Sequence, residues 1–134
     1  MKRELEVMRR FIAEYQTAGK QAVAEELLAP DFVDHTPFPG FGQSRDDVIQ
    51  LFAALRGAFP DLRAEIVSQF SQGDRVGTHK VFSGTHQGPL MGIPPTGKQV
   101  SFAVMDIVRI ADGRIAEHWN VVDQADLMRQ LASS

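Results

Sequence analysis

Residues Gly84 to Gly97 read GTHQGPLMGIPPTG, and residues Asp112 to Trp119 read DGRIAEHW. The first stretch is a loop dense in Gly and Pro between two apolar strands. Some of its glycines can adopt positive φ, Pro94-Pro95 stiffens it, and at about a dozen residues it exceeds an ordinary hairpin connection. The second stretch is a tight turn, Ala111-Asp112-Gly113, that feeds a strand carrying His118 and Trp119. A long crossing loop and a short turn, each joining apolar strands, make the C-terminal half an antiparallel sheet.

Working outward from these two stretches, the period changes to two after Pro60. Leu62, Ala64, Ile66, Ser68 and Phe70 alternate with Arg63, Glu65, Val67 and Gln69, which reads as a half-buried strand. Gln72-Gly73-Asp74 turns into a second strand, Arg75 to Thr85. Val100 to Ile110 forms a third and Arg114 to Val122 a fourth, followed by a closing helix with Leu127, Met128 and Leu131. Before Pro60 the period is helical. Leu5, Met8, Phe11, Ile12 and Tyr15 define a first helix ending near Gly19, and Val23, Ala24, Leu27 and Leu28 a second that Pro30 stops. Phe32 to Pro39 reads as extended and turn-like. A third helix opens at Ser44 with Asp47 three residues on, a capping-box arrangement, and buries Val48, Leu51, Phe52, Leu55 and Phe59. Helices segregated ahead of antiparallel strands predict an α+β fold.

Composition narrows the class. The 134 residues suffice for one domain, 1–134, and for a core that needs no staples. Net charge is −3 and no basic cluster exceeds Lys2-Arg3 or Arg9-Arg10, which argues against nucleic acid as a partner. There are no cysteines, so disulfides, thiolate metal sites and a cysteine nucleophile are excluded. No segment approaches the roughly 18 continuous apolar residues of a membrane span, and the charged N-terminus lacks a signal peptide's apolar stretch. The expectation is a cytoplasmic protein with no membrane partner.

The loop and the DGRIAEHW strand together resemble the SnoaL-like polyketide cyclase and ester cyclase family of the NTF2-like fold group, over roughly Val7 to Leu131. The resemblance implies a cone, with N-terminal helices packed in a strongly curved, mostly antiparallel sheet that leaves one open mouth. It also implies a cofactor-independent enzyme that moves protons on an apolar, carbonyl-containing small molecule. A non-catalytic ligand-binding or dimerising module of the same fold is the alternative.

Candidate site residues come from both sources. Val100, Phe102, Val104, Asp106, Val108 and Ile110 share one face of the third strand, and Asp106 lies in the middle of it. A carboxylate there must be paired, hydrated in a cavity or protonated. It is either a structural acid, bonded to backbone or to an arginine such as Arg109, or a pocket residue. On the fourth strand, alternation sets Ile115, Glu117, Trp119 and Val121 on one face and His118, Asn120 and Val122 on the other. Asp123 either caps the closing helix or faces the cone as general acid/base. The resemblance implies the second role, since the cyclases place an essential aspartate at the end of this strand. Where they support it with a Gln and a His spaced two apart on the third strand, this chain has Asp106 and Val108.

The expected catalytic residues are therefore Asp123 and Asp106, with His35, His79, Phe102, His118 and Trp119 as substrate-binding candidates. His86 is expected to make local hydrogen bonds. Scattered histidines without HExxH predict no metal site, and no GxSxG elbow supports a hydrolase triad. The outer sheet face, with Val67, Val81 and Met105, carries apolar side chains that a homodimer would cover.

Overall fold

The computed structural model describes residues 2–132. Its elements are α1 (Lys2–Arg10), a π-helical continuation (Phe11–Thr17), α2 (Gln21–Leu27), β1 (Leu28–Asp34), α3 (Arg45–Ala58), β2 (Arg63–Gln72), β3 (Arg75–Thr85), β4 (Gln99–Ala111), β5 (Arg114–Val122) and α4 (Gln124–Ala132). The sheet order is β1-β5-β4-β3-β2. β2 to β5 pair antiparallel, and β1 joins β5 in parallel. The α+β fold is that of the expected cone, with a fifth strand the sequence did not announce. Pro30 lies within β1, tolerable because β1 is an edge strand and needs donors on one side only.

The helix boundaries follow their local chemistry. Ser44 Oγ accepts a hydrogen bond from Asp47 N, and the Asp47 carboxylate accepts one from the Ser44 N–H, so the capping box at α3 is complete. The first helical stretch ends at Gly19, whose φ of +74° favours a residue without Cβ. Asp112 and Gly113 both have positive φ, the condition of the tight turn that joins β4 to β5. In the long loop, Gly88 lies against the end of α3, and a Cβ there would come within 2.1 Å of Gly57 O. Close backbone approach, more than flexibility, explains that glycine.

One face of the sheet carries the core. Val76, Thr78, Lys80, Phe82 and Gly84 of β3 point inward, as do Val100, Phe102, Val104, Asp106, Val108 and Ile110 of β4. Two irregularities modify the alternation. The β2–β3 register shifts between Ile66 and Ser68, so that Gln69 reaches Thr78 and Phe70 lies over Gly77 on the outer face. In β5, Glu117 pairs with Arg109 and Ile115 with Ile110, which leaves Ala116 as an extra residue. Ile115 and His118 consequently face the same side, whereas plain alternation separates them.

Candidate active site

Between the helices and the inner sheet face lies a cavity of about 280 Å³. Most of its wall is apolar, including Phe11, Phe32, Phe52, Phe82, Phe102 and Leu127, with Pro37, Phe38, Pro39 and Leu90 from loops. The polar lining comprises Gln16 of the π-helical turn, Asp34 of β1 with Thr36 just beyond it, Lys80 of β3, Asp106 of β4, His118 and Asn120 of β5, and Gln124 at the start of α4. These polar groups converge although the sequence scatters them over more than 100 residues.

Asp106 is the hub. Its Oδ2 lies 2.7 Å from Lys80 Nζ and 3.7 Å from His118 Nε2. Lys80, only 1% exposed, also donates to Gln16 Oε1 at 3.0 Å. Asp106 Oδ1 is buried and accepts no hydrogen bond among the described residues. On the other side of the imidazole, His118 Nδ1 donates to Asp34 Oδ1 at 3.1 Å, and that oxygen also accepts from Thr36 N. Asn120 is fixed in turn, its N–H donating to Thr36 Oγ1 and its side-chain oxygen accepting from the same hydroxyl.

Charge and burial oppose one another at both central groups. Burial pushes the Asp106 carboxyl up, but the Lys80 ammonium and the His118 ring outweigh it and hold the group below the usual carboxylate range. Burial pulls His118 down, yet the flanking Asp106 and Asp34 carboxylates prevail and raise it above the ordinary imidazole value. Each group thus favours the charged form of the other, the Asp106 carboxylate to lower pH than a free acid and the His118 imidazolium to higher pH than a free histidine. Among the described residues no group of three or more His, Asp or Glu side chains is arranged to hold a metal ion.

The cavity gathers Asp106, His118 and Phe102 from the expected set and leaves out the other four. Trp119 faces outward, where it stacks on His35 at 4.7 Å and takes the Arg75 guanidinium at 4.8 Å. His35 Nε2 bonds Glu117 at 2.9 Å on that same side. His79 shares the outer face of β3 with Gly77 and Val81, opposite in parity to Lys80. Asp123 is exposed, and its Oδ1 accepts from Asp126 N at 3.1 Å. Of its two expected roles the geometry shows the helix cap, because Val122 takes the inward position beside Val104 and the next residue points away from the cavity. Asp106 is paired by Lys80 and not by Arg109, which binds Glu117 on the outer face. His86 is fully buried and its Nδ1 accepts from Thr96 N, tying the two ends of the long loop.

The sequence pattern described as SnoaL-like polyketide cyclase matches residues 6–131. The chain belongs to the SnoaL-like polyketide cyclase family. It is 30% identical to aklanonic acid methyl ester cyclase DnrD of Streptomyces peucetius, over 98% of this chain and 92% of that one. It is equally identical to nogalonic acid methyl ester cyclase of Streptomyces nogalater, over 84% and 86%. Among solved structures, TsrD from Streptomyces laurentii superposes with a TM-score of 0.87 at 27% identity, covering 99% and 97% of the two chains. IdmH from Streptomyces antibioticus does so with a TM-score of 0.86 at 30% identity, covering 97% and 99%.

Val108 on β4 pairs directly across the ladder with His118 on β5, and both line the cavity. The imidazole thus enters from the next strand at the same height. The residues that sequence reasoning missed are Lys80, Gln16, Asp34 and Asn120. The inward parity of Thr78, Lys80 and Phe82 was one available signal, since a lysine between inward positions of a buried strand demands a partner. Asp34 and Gln16 gave none, because β1 and the π-helical turn meet the site only through tertiary packing.

Proposed function

We propose that this protein catalyses a cofactor-independent, proton-transferring ring closure of an enolisable carbonyl compound, with Asp106 as base and His118 as acid. The observation that carries the reading is the pair itself. A carboxylate with an unbonded oxygen and an imidazolium anchored by a second carboxylate share the polar end of an apolar cavity. Asp106 takes a proton from the carbon next to a carbonyl. The resulting enolate carbon attacks a second carbonyl, whose oxygen becomes a hydroxyl with the proton of His118. Atoms balance as an isomerisation, and after product release Asp106 gives its proton to solvent while His118 regains one from it. Phe102 and the other rings hold the apolar body of the ligand, a fit with the esters named for the relatives. In this reading residues 1–134 act as one domain, and the absence of cysteine suits the cytoplasm.

The test is incubation with aklanonic and nogalonic acid methyl esters and with simpler 1,3-dicarbonyl esters, without added cofactor, followed by chromatography and mass spectrometry. A product of unchanged mass is expected from the wild type. Its rate should fall by about 10²-fold or more in Asp106→Asn and in His118→Asn, the scale of a lost general acid or base. Turnover that survives both substitutions, or binding without turnover of any of these compounds, overturns the assignment.

A homodimer formed through the outer sheet face belongs to the same proposal. Val67, Phe70, Met105 and Val121 are 58%, 65%, 58% and 75% exposed there, with Ile107 among them. A contiguous apolar face of this kind on a small protein calls for cover, and a second copy of the same face supplies it by two-fold symmetry.

A further inference from the structure

We propose that Lys80 is the group that receives the developing negative oxygen, so that the site selects ligands able to present an enolate rather than apolar ketones in general. The inference rests on the acid/base reading of the cavity and names the residue and ligand chemistry that reading leaves open. An ammonium has three N–H donors. One donates to Gln16 and the ammonium forms an ion pair with Asp106 Oδ2, which leaves donor capacity with no further acceptor among the described residues, and Lys80 lines the cavity. Beside it, Asp106 Oδ1 is an acceptor with no donor. One ion pair therefore offers an unsatisfied acceptor and an unsatisfied donor next to each other. An enolisable carbonyl has the matching pattern, an acidic C–H adjacent to an oxygen.

When Asp106 Oδ1 takes the proton, the C–H bond breaks and its electron pair becomes the C=C bond. The carbonyl π pair moves onto oxygen, where the Lys80 N–H meets it. Lys80 keeps its proton throughout, and no other reactant is needed. In a wall of Phe82, Phe102 and Val104 such a donor counts for more than in water, since little solvent competes for the charge. The ammonium is also held from behind by Gln16 and lies 5.3 Å from the Phe82 ring centroid, so it is fixed before a ligand arrives.

The experiment uses a cyano-substituted 2-naphthol, whose hydroxyl ionises near neutral pH and whose two rings suit a cavity of this size, together with its methyl ether, which cannot ionise. Binding to the wild type is followed by absorbance across pH. The naphtholate is expected to bind at least tenfold more tightly than the ether, a preference lost in Lys80→Gln and retained in His118→Asn. The NMR signal of the Lys80 ε-methylene in the wild type should shift with naphtholate and not with the ether, a readout that stands even if Lys80→Gln does not fold. Equal binding of both probes, or a preference that follows His118 and not Lys80, overturns the role of Lys80 and leaves the acid/base pair in place. No binding of either probe at millimolar concentration overturns both.

Discussion

His118 sits between two carboxylates, and its response to pH follows from that position. Its folded-state pKa is raised, so the stability this group contributes is fully present below the unfolded value of about 6.5 and is lost as pH rises through the folded value. Asp106 is lowered, so its contribution is present above about 3.9 and is lost as pH falls through its folded value. The difference in melting temperature between wild type and His118→Asn should accordingly shrink as pH is raised from 6 toward 9, and calorimetry at stepped pH checks it. A difference that grows over that range would contradict the imidazolium. Lys80→Met should be costly for another reason, because it strands a buried carboxylate; about 3–5 kcal/mol of stability should go, read by denaturant unfolding. At this scale Asp106 was legible, since a carboxylate in the middle of Val100, Phe102, Val104, Val108 and Ile110 announces a cost. Lys80 shares parity with inward Val76 and Phe82, a signal of burial, but which acid it meets is set by the β3–β4 register and was not legible.

Elements show where local signals suffice. The capping box at Ser44 forms as its sequence indicates, and Ser44→Ala should lower stability by about 1 kcal/mol without altering turnover. Asp123 caps α4, so Asp123→Asn, which preserves a good cap, should leave both turnover and melting temperature nearly unchanged. Asp123→Ala should cost a few degrees while turnover persists below the transition. Thermal melts beside rate measurements on the two variants separate this role from general base catalysis, which would lose activity in both. β3 and β5 have the bounds read from the sequence, because turn residues and apolar runs delimit them. β1 escaped notice, since seven residues containing Pro30 become a strand only by lying parallel to β5, a pairing set by packing far along the chain. The shift in β2 was equally hidden, and it carries Phe70 from the expected inner stripe to the outside.

At the scale of the whole molecule the two sheet faces divide the work, with polar groups gathered at one end of the inner face and apolar ones spread over the outer. If two copies cover that outer face, Val121→Lys, whose side chain lies on the sheet face opposite the cavity, should give a monomer by light scattering and leave each cavity intact. A wild-type chain that is monomeric at micromolar concentration would dismiss the pairing. The fold as a whole was legible from periodicity and from two short stretches, whereas the site was half legible, because parity tells which residues share a face but not where the count slips. The extra residue Ala116 is where it slips in β5. A relative lacking one residue at this point would present the same imidazole to the same cavity while its numbering along the strand ran one short. Val108 and His118 are neighbours along a rung of the ladder, although ten positions separate them along the thread of the chain.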